Sequence, residues 1–207
     1  MKRTIISVFG LLLLAVTVPG LHAEGLGIKA GINISDLTNL ENEYIEMGTK
    51  SGLAVGVFYC VDITDEFSIQ PEMNYTMKGV RDSGVTDGND WALNFNIDYL
   101  EFPVLVKYRF PSFGKFEPNL FAGPYLGIKL SAKTKVTLNE ESVSEDVEDI
   151  RSTDFGVVIG GGLDFELWSG HLILDARYAY GLVDVSTEGM EKKTLHRVFT
   201  VMLGYRF

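Results

Sequence analysis

Eight stretches between Leu26 and Phe207 read as strands, and all but the Gly-rich fifth, whose faces are poorly separated, place apolar side chains at every second position. The last is the plainest. Phe199, Val201, Leu203, Tyr205 and Phe207 fall on one face of an extended chain, and Val198, Thr200, Met202, Gly204 and Arg206 on the other. Successive side chains of a strand point to opposite faces, so a period of two marks strands. Beyond the N-terminal region no apolar run reaches the roughly 20 residues that a membrane helix needs. A chain patterned this way must bury its apolar faces as a sheet, either in a core or in lipid.

The first strand carries Leu26, Ile28, Ala30, Ile32 and Ile34 opposite Lys29 and Asn33. Further strands are expected over 51–63, 67–79, 91–110, 116–132, 154–166, 171–182 and 194–207. In the fourth, the apolar residues change phase. Leu93, Phe95 and Ile97 are odd, whereas Leu100, Phe102, Val104, Val106 and Tyr108 are even. A one-residue slip flips a strand's faces, so the pattern predicts a β-bulge near Asp98 to Leu100. Connections alternate between long loops (38–50, 80–90, 133–153, 183–193) and short turns (64–66, 111–115, 167–170). Eight strands with that alternation describe an all-β, antiparallel up-and-down transmembrane β-barrel. It is closed because no backbone edge can face lipid.

Aromatic residues gather where the short turns lie: Tyr59, Phe67, Tyr108, Phe110, Phe113, Phe116, Phe165, Trp168, Tyr205 and Phe207. That clustering reads as an aromatic girdle at one membrane interface. A soluble barrel with the faces reversed is the competing reading. At the N-terminus, Lys2 and Arg3 precede an apolar run from Ile5 to Val18, then Pro19-Gly20 and a small residue at Ala23. This is the pattern of a secretory signal peptide over 1–23, cleaved after Ala23, with a barrel domain over 24–207.

The formal charge of -10 argues against nucleic acid as a partner. The single cysteine, Cys60, allows no intramolecular disulfide and reads as a small apolar filler. Glu72, Glu101, Lys107, Asp164, Asp175 and Arg177 all fall on polar faces. An eight-stranded interior is just wide enough for side chains, so these are expected to form a structural polar network that plugs the lumen. A narrow conduit is the alternative. His196 with Ser51 or Ser186 is the only candidate for lipid-modifying chemistry, and no nucleophile motif supports it. His171 and His196 have no metal-ligand spacing. The acidic residues from Glu140 to Asp149 read as solvated loop charge. No enzyme activity and no cofactor are expected.

Several segments carry a family resemblance: QPEMNYTMKG (70–79), YLEFPVLVKYRF (99–110), FAGPYLGIKL (121–130), DFGVVIGGGLDFE (154–166), DARYAYGL (175–182) and the terminal GYRF. Together they resemble the porin-like outer-membrane β-barrels called PorT-like, of OmpX size. The resemblance implies the outer membrane of a Gram-negative-type cell and brings no catalytic residues. Tyr205 and Phe207 resemble the signal by which barrel-assembly machinery recognises its clients. The implied partners are outer-membrane lipid, that machinery, and a secretion or surface partner met through loops 38–50, 80–90, 133–153 and 183–193. An accessory role in outer-membrane transport or protein secretion is the implied alternative function.

Overall fold

The structure is a computed structural model that describes residues 22–37, 48–86, 89–139, 141–147, 150–184 and 194–207. Its strands are β1 (His22–Leu37), β2 (Gly48–Asp62), β3 (Phe67–Thr86), β4 (Asn89–Arg109), β5 (Phe116–Leu138), β6 (Glu141–Asp146), β7 (Thr153–Leu167), β8 (Gly170–Gly181) and β9 (His196–Arg206). All pairings are antiparallel. The order β4-β3-β2-β1-β9-β8-β7-β5 closes on itself through β4–β5. Eight strands therefore make the wall. The ninth, β6, pairs only with the upper end of β5.

The expected signal peptide falls on residues 1–21, outside the described residues, and on the first two residues of β1. His22 and Ala23 pair with Asp62 and Val61. Loops 38–50 and 183–193 lie largely outside the described residues. The other two long loops are corrected. Residues 80–90 are mostly strand, because β3 runs to Thr86 and β4 starts at Asn89. Residues 133–153 contain a hairpin in which Val136 pairs with Val143 and Leu138 with Glu141. Here Lys, Thr and Ser alternate with Val and Leu, a half-apolar pattern that suits a projecting sheet as well as a loop.

The phase change in β4 also has a different cause. There is no bulge in β4. Its odd residues face inward throughout, from Arg109, Lys107 and Glu101 to Tyr99 and Ile97. The register shift at Asp98/Tyr99 lies in β5: Asp98 pairs with Ser131 and Tyr99 with Lys129, leaving Leu130 as the extra residue. The hydrophobic pattern switches because the lumen itself changes character. Its outer end is apolar, packed with Leu37, Val80, Ile97, Tyr99 and Ala132, against which Phe95, Val147 and Ile150 rest.

The wall is inside-out relative to a soluble barrel. Ile32 is 61% exposed and Leu203 55%, both outward, whereas Arg206 is 2% exposed and Lys78 1%, both inward. A soluble barrel would put these apolar residues in its core, so this arrangement decides against it. At the short-turn end the aromatic rings touch in sequence. Phe67 meets Tyr108 and Tyr108 meets Phe110, each at 5.0 Å; Phe116 meets Phe165 at 4.9 Å; Tyr205 meets Phe207 at 5.2 Å. These separations suit tilted and edge-to-face ring pairs.

Candidate functional site

The lumen is where polar chemistry concentrates. Side chains on the inward register of all eight wall strands meet there, in three ionic layers stacked from the short-turn end outward. The first layer is built on Asp164 of β7. Lys107 Nζ of β4 donates to its Oδ2 at 2.7 Å, and Asn119 Nδ2 of β5 to its Oδ1 at 3.0 Å. Arg206 Nη1 of β9 lies 3.6 Å from the same Oδ2. Below it, Arg109 bridges Asp62 at 2.8 Å and Glu117 at 3.7 Å.

The middle layer is centred on Glu72 of β3. Lys29 Nζ donates to Oε1 at 2.6 Å and Gln70 Nε2 to the same oxygen at 2.7 Å. Arg177 Nη1 donates to Oε2 at 2.7 Å and Asn74 Nδ2 at 2.8 Å. Arg177 also pairs with Asp175 at 2.6 Å. The two cations lie against inward rings: Arg177 is 5.0 Å from the Phe121 centroid and Lys29 5.5 Å from that of Phe58. Glycine makes room for those rings. A Cβ at Gly160 would come within 2.6 Å of the Phe121 ring, so a side chain there would displace the ring under Arg177.

The outer layer is centred on Lys78. It pairs with Glu101 at 2.5 Å and Asp154 at 3.1 Å, and lies 5.0 Å from the centroids of both Tyr99 and Tyr125. Tyr125 donates its hydroxyl to Asp154 Oδ2 at 3.0 Å, and Thr76 donates to Glu101 Oε2 at 3.1 Å. His196 is fully buried, with Nε2 3.3 Å from the Tyr99 hydroxyl.

The six lumen candidates thus divide among the layers. Glu72, Asp175 and Arg177 share the middle one, Lys107 and Asp164 the first, and Glu101 lies in the outer one. Sequence reasoning missed Lys29, Lys78, Asp154, Arg109 and the aromatic partners Tyr99 and Tyr125. For Lys29 and Lys78 the signal was present, since both hold the inward register of their strands. Tyr99 and Tyr125 were obscured because aromatics in a barrel read first as lipid-facing. The His196–Ser51 pairing does not form. His196 points into the lumen, whereas Ser51 is exposed, and Ser186 lies outside the described residues. Tyr205 and Phe207 stand on the outward face of β9, and the Tyr205 hydroxyl donates to the Leu167 carbonyl at 3.3 Å. Cys60 is buried.

A closed, even-stranded barrel, apolar outside and ion-paired inside, defines an integral protein of an outer membrane. The chain belongs to the outer membrane protein beta-barrel domain family, whose model matches residues 22–187. Its fold is similar to that of Neisserial surface protein A, at 16% identity over 90% of this chain and 99% of that one, with a TM-score of 0.48. Outer membrane protein OprG from Pseudomonas aeruginosa is similar at 16% identity, over 90% and 97%, with a TM-score of 0.49. The outer membrane enzyme PagL is similar at 13% identity, over 86% and 99%, also with a TM-score of 0.49. No curated protein matches the chain.

Proposed function

We propose that this protein is a non-enzymatic integral barrel that serves the outer membrane as a structural and binding element, acting through its outer end and not by conduction through its lumen. The observation that carries the reading is the Glu72 layer. It ties β1, β3 and β8 together across the interior through Lys29, Glu72 and Arg177. The cavity above it, lined by Asn74, Thr76, Lys78, Glu101, Arg177 and Thr200 among others, has a volume of about 20 Å³. That is room for about one water, not for a hydrated ion and its path. The non-enzymatic part of the reading is supported by the separation of His196 from Ser51 across the barrel wall.

Planar-bilayer recording tests the plug. The folded wild type is expected to give no stable conductance steps. The double variant Glu72→Ala/Arg177→Ala is expected to gain them, because it removes the central cross-link and its volume together. Reproducible single-channel steps from the wild type would overturn the plugged reading.

A further inference from the structure

Towards its outer end, β5 changes partner. Residues Phe116 to Ile128 pair with β7, whereas Lys133 to Leu138 pair with β6. β6 is the last strand of the sheet, and among the described residues no segment pairs with its other edge. All six of its residues are exposed. The strand holds neither proline nor glycine, so nothing in its backbone blunts that edge.

The hydrogen-bond pattern of β5 fixes what the edge offers. Val147 N donates to Ala132 O on the β6 side of β5, and Asn139 N donates to Asp90 O on the β4 side. Even residues of β5 therefore bond toward β6, and their partners Glu141, Val143 and Glu145 bond back to β5. Bonding direction alternates along a strand. Ser142 and Ser144 thus turn their N–H and C=O groups to the open edge.

The side chains alternate too. Val80 and Phe95 pack in the apolar mouth of the lumen, and their row continues through Thr134 to Glu145. Val143 and Glu141 hold the same inner face further out, so along β6 that face runs acid, apolar, acid. Val143 is 63% exposed and its neighbour Val136 41%, which leaves apolar surface open beside the edge. The inner face of this sheet above the mouth carries Asp82, Glu141 and Glu145 and no lysine or arginine. Toward an added antiparallel strand, Glu141, Val143 and Glu145 are the non-hydrogen-bonded positions, where facing side chains come closest. A second copy does not suit them. Two β6 strands paired with Val143 opposite Val143 set Glu141 opposite Glu145 twice, and like charges directly opposite are destabilising.

We propose that the open edge of β6 binds an extended segment of a partner protein, with cations facing Glu141 and Glu145 and an apolar side chain facing Val143. The inference rests on the reading of the outer end as a binding element and gives its partner a chemistry. Backbone hydrogen bonds to Ser142 and Ser144 hold the segment, and the alternating face selects it. Two opposite-charge pairs across the ladder are together worth roughly tenfold in binding.

The test titrates the folded full-length barrel in detergent with two dye-labelled peptides, TKTVTKT and TETVTET. Wild type is expected to bind the first more tightly by about tenfold or more. Glu141→Gln/Glu145→Gln should lose roughly tenfold for TKTVTKT and with it the preference. Ser144→Pro keeps the β5 ladder and every charge, since that N–H faces the open edge, and should still lose roughly tenfold. Equal binding of the two peptides by wild type, or undiminished binding of TKTVTKT by either variant, would overturn the proposal. Should Ser144→Pro fail to fold, TKTVTKT N-methylated at alternate residues takes its place on wild type, and binding as tight as that of the plain peptide rules out edge pairing. Dimerisation through β6 that excludes the peptide would make a second copy the occupant and defeat the proposal. If neither peptide binds a barrel that passes no current, this inference falls while the plugged reading stands; wild-type conductance is the result that removes the latter.

Discussion

At the residue scale, one carboxylate organises more of the interior than any other. Glu72 accepts hydrogen bonds from Lys29, Gln70, Asn74 and Arg177. Taking ions out of water is costly, and these are compensated only while each has its partner. Glu72→Ala leaves Lys29 and Arg177 facing each other and should cost about 3–5 kcal/mol. Glu72→Gln keeps part of the hydrogen bonding and should cost less. Urea unfolding of both variants in detergent micelles, followed by tryptophan fluorescence, measures the difference; equal stability of Glu72→Ala and wild type would show that the layer contributes nothing. Glu72 was legible in the sequence because it is the only carboxylate in the clean strand expected over 67–79. Its partners were less so, since parity gives a side chain's face and not which of several inward groups it meets.

At the element scale, two strands carry the argument. In β9, Val201 lies midway between the Tyr205–Phe207 rings and exposed Arg197, on the outward register. Val201→Arg should therefore cost about 2–4 kcal/mol, the charge being near mid-bilayer. Folding as efficient as wild type into lipid vesicles would refute that depth. In β5, Leu130 is the bulged residue, and Lys129 and Ala132 on either side of it keep the inward register. Deleting Leu130 regularises the ladder without flipping a face, so the variant should still fold. Deleting Asp98 from the unbulged β4 should turn half of that strand inside out and abolish folding. Heat-modifiable migration of the two deletions tests both expectations. The phase change in β4 was visible in the sequence, but its cause was not. Leu93, Phe95 and Ile97 have the hydrophobicity of lipid-facing residues, yet all three hold the inward register, and Phe95 and Ile97 pack in the apolar mouth of the lumen.

At the scale of the whole molecule, the barrel stands asymmetrically in its membrane. One end has short turns and touching aromatic rings, and the other a sheet that projects beyond the wall. Protease added to intact cells should cut only at the long-loop end, and unheated samples should migrate as a folded barrel. Cleavage within the turns at 63–66 or 110–115 would invert the orientation.

The period of two, the alternation of long and short connections and the aromatic clusters were enough to specify eight strands, closure and lipid outside. Each of these is a local pattern, and a strand's two faces follow from its backbone geometry alone. Only the tertiary structure decided which inward ions meet and where the bulge falls. Those depend on register between strands far apart in the chain. Register also separates the apolar outer lumen from the lipid face, two environments that select the same side chains.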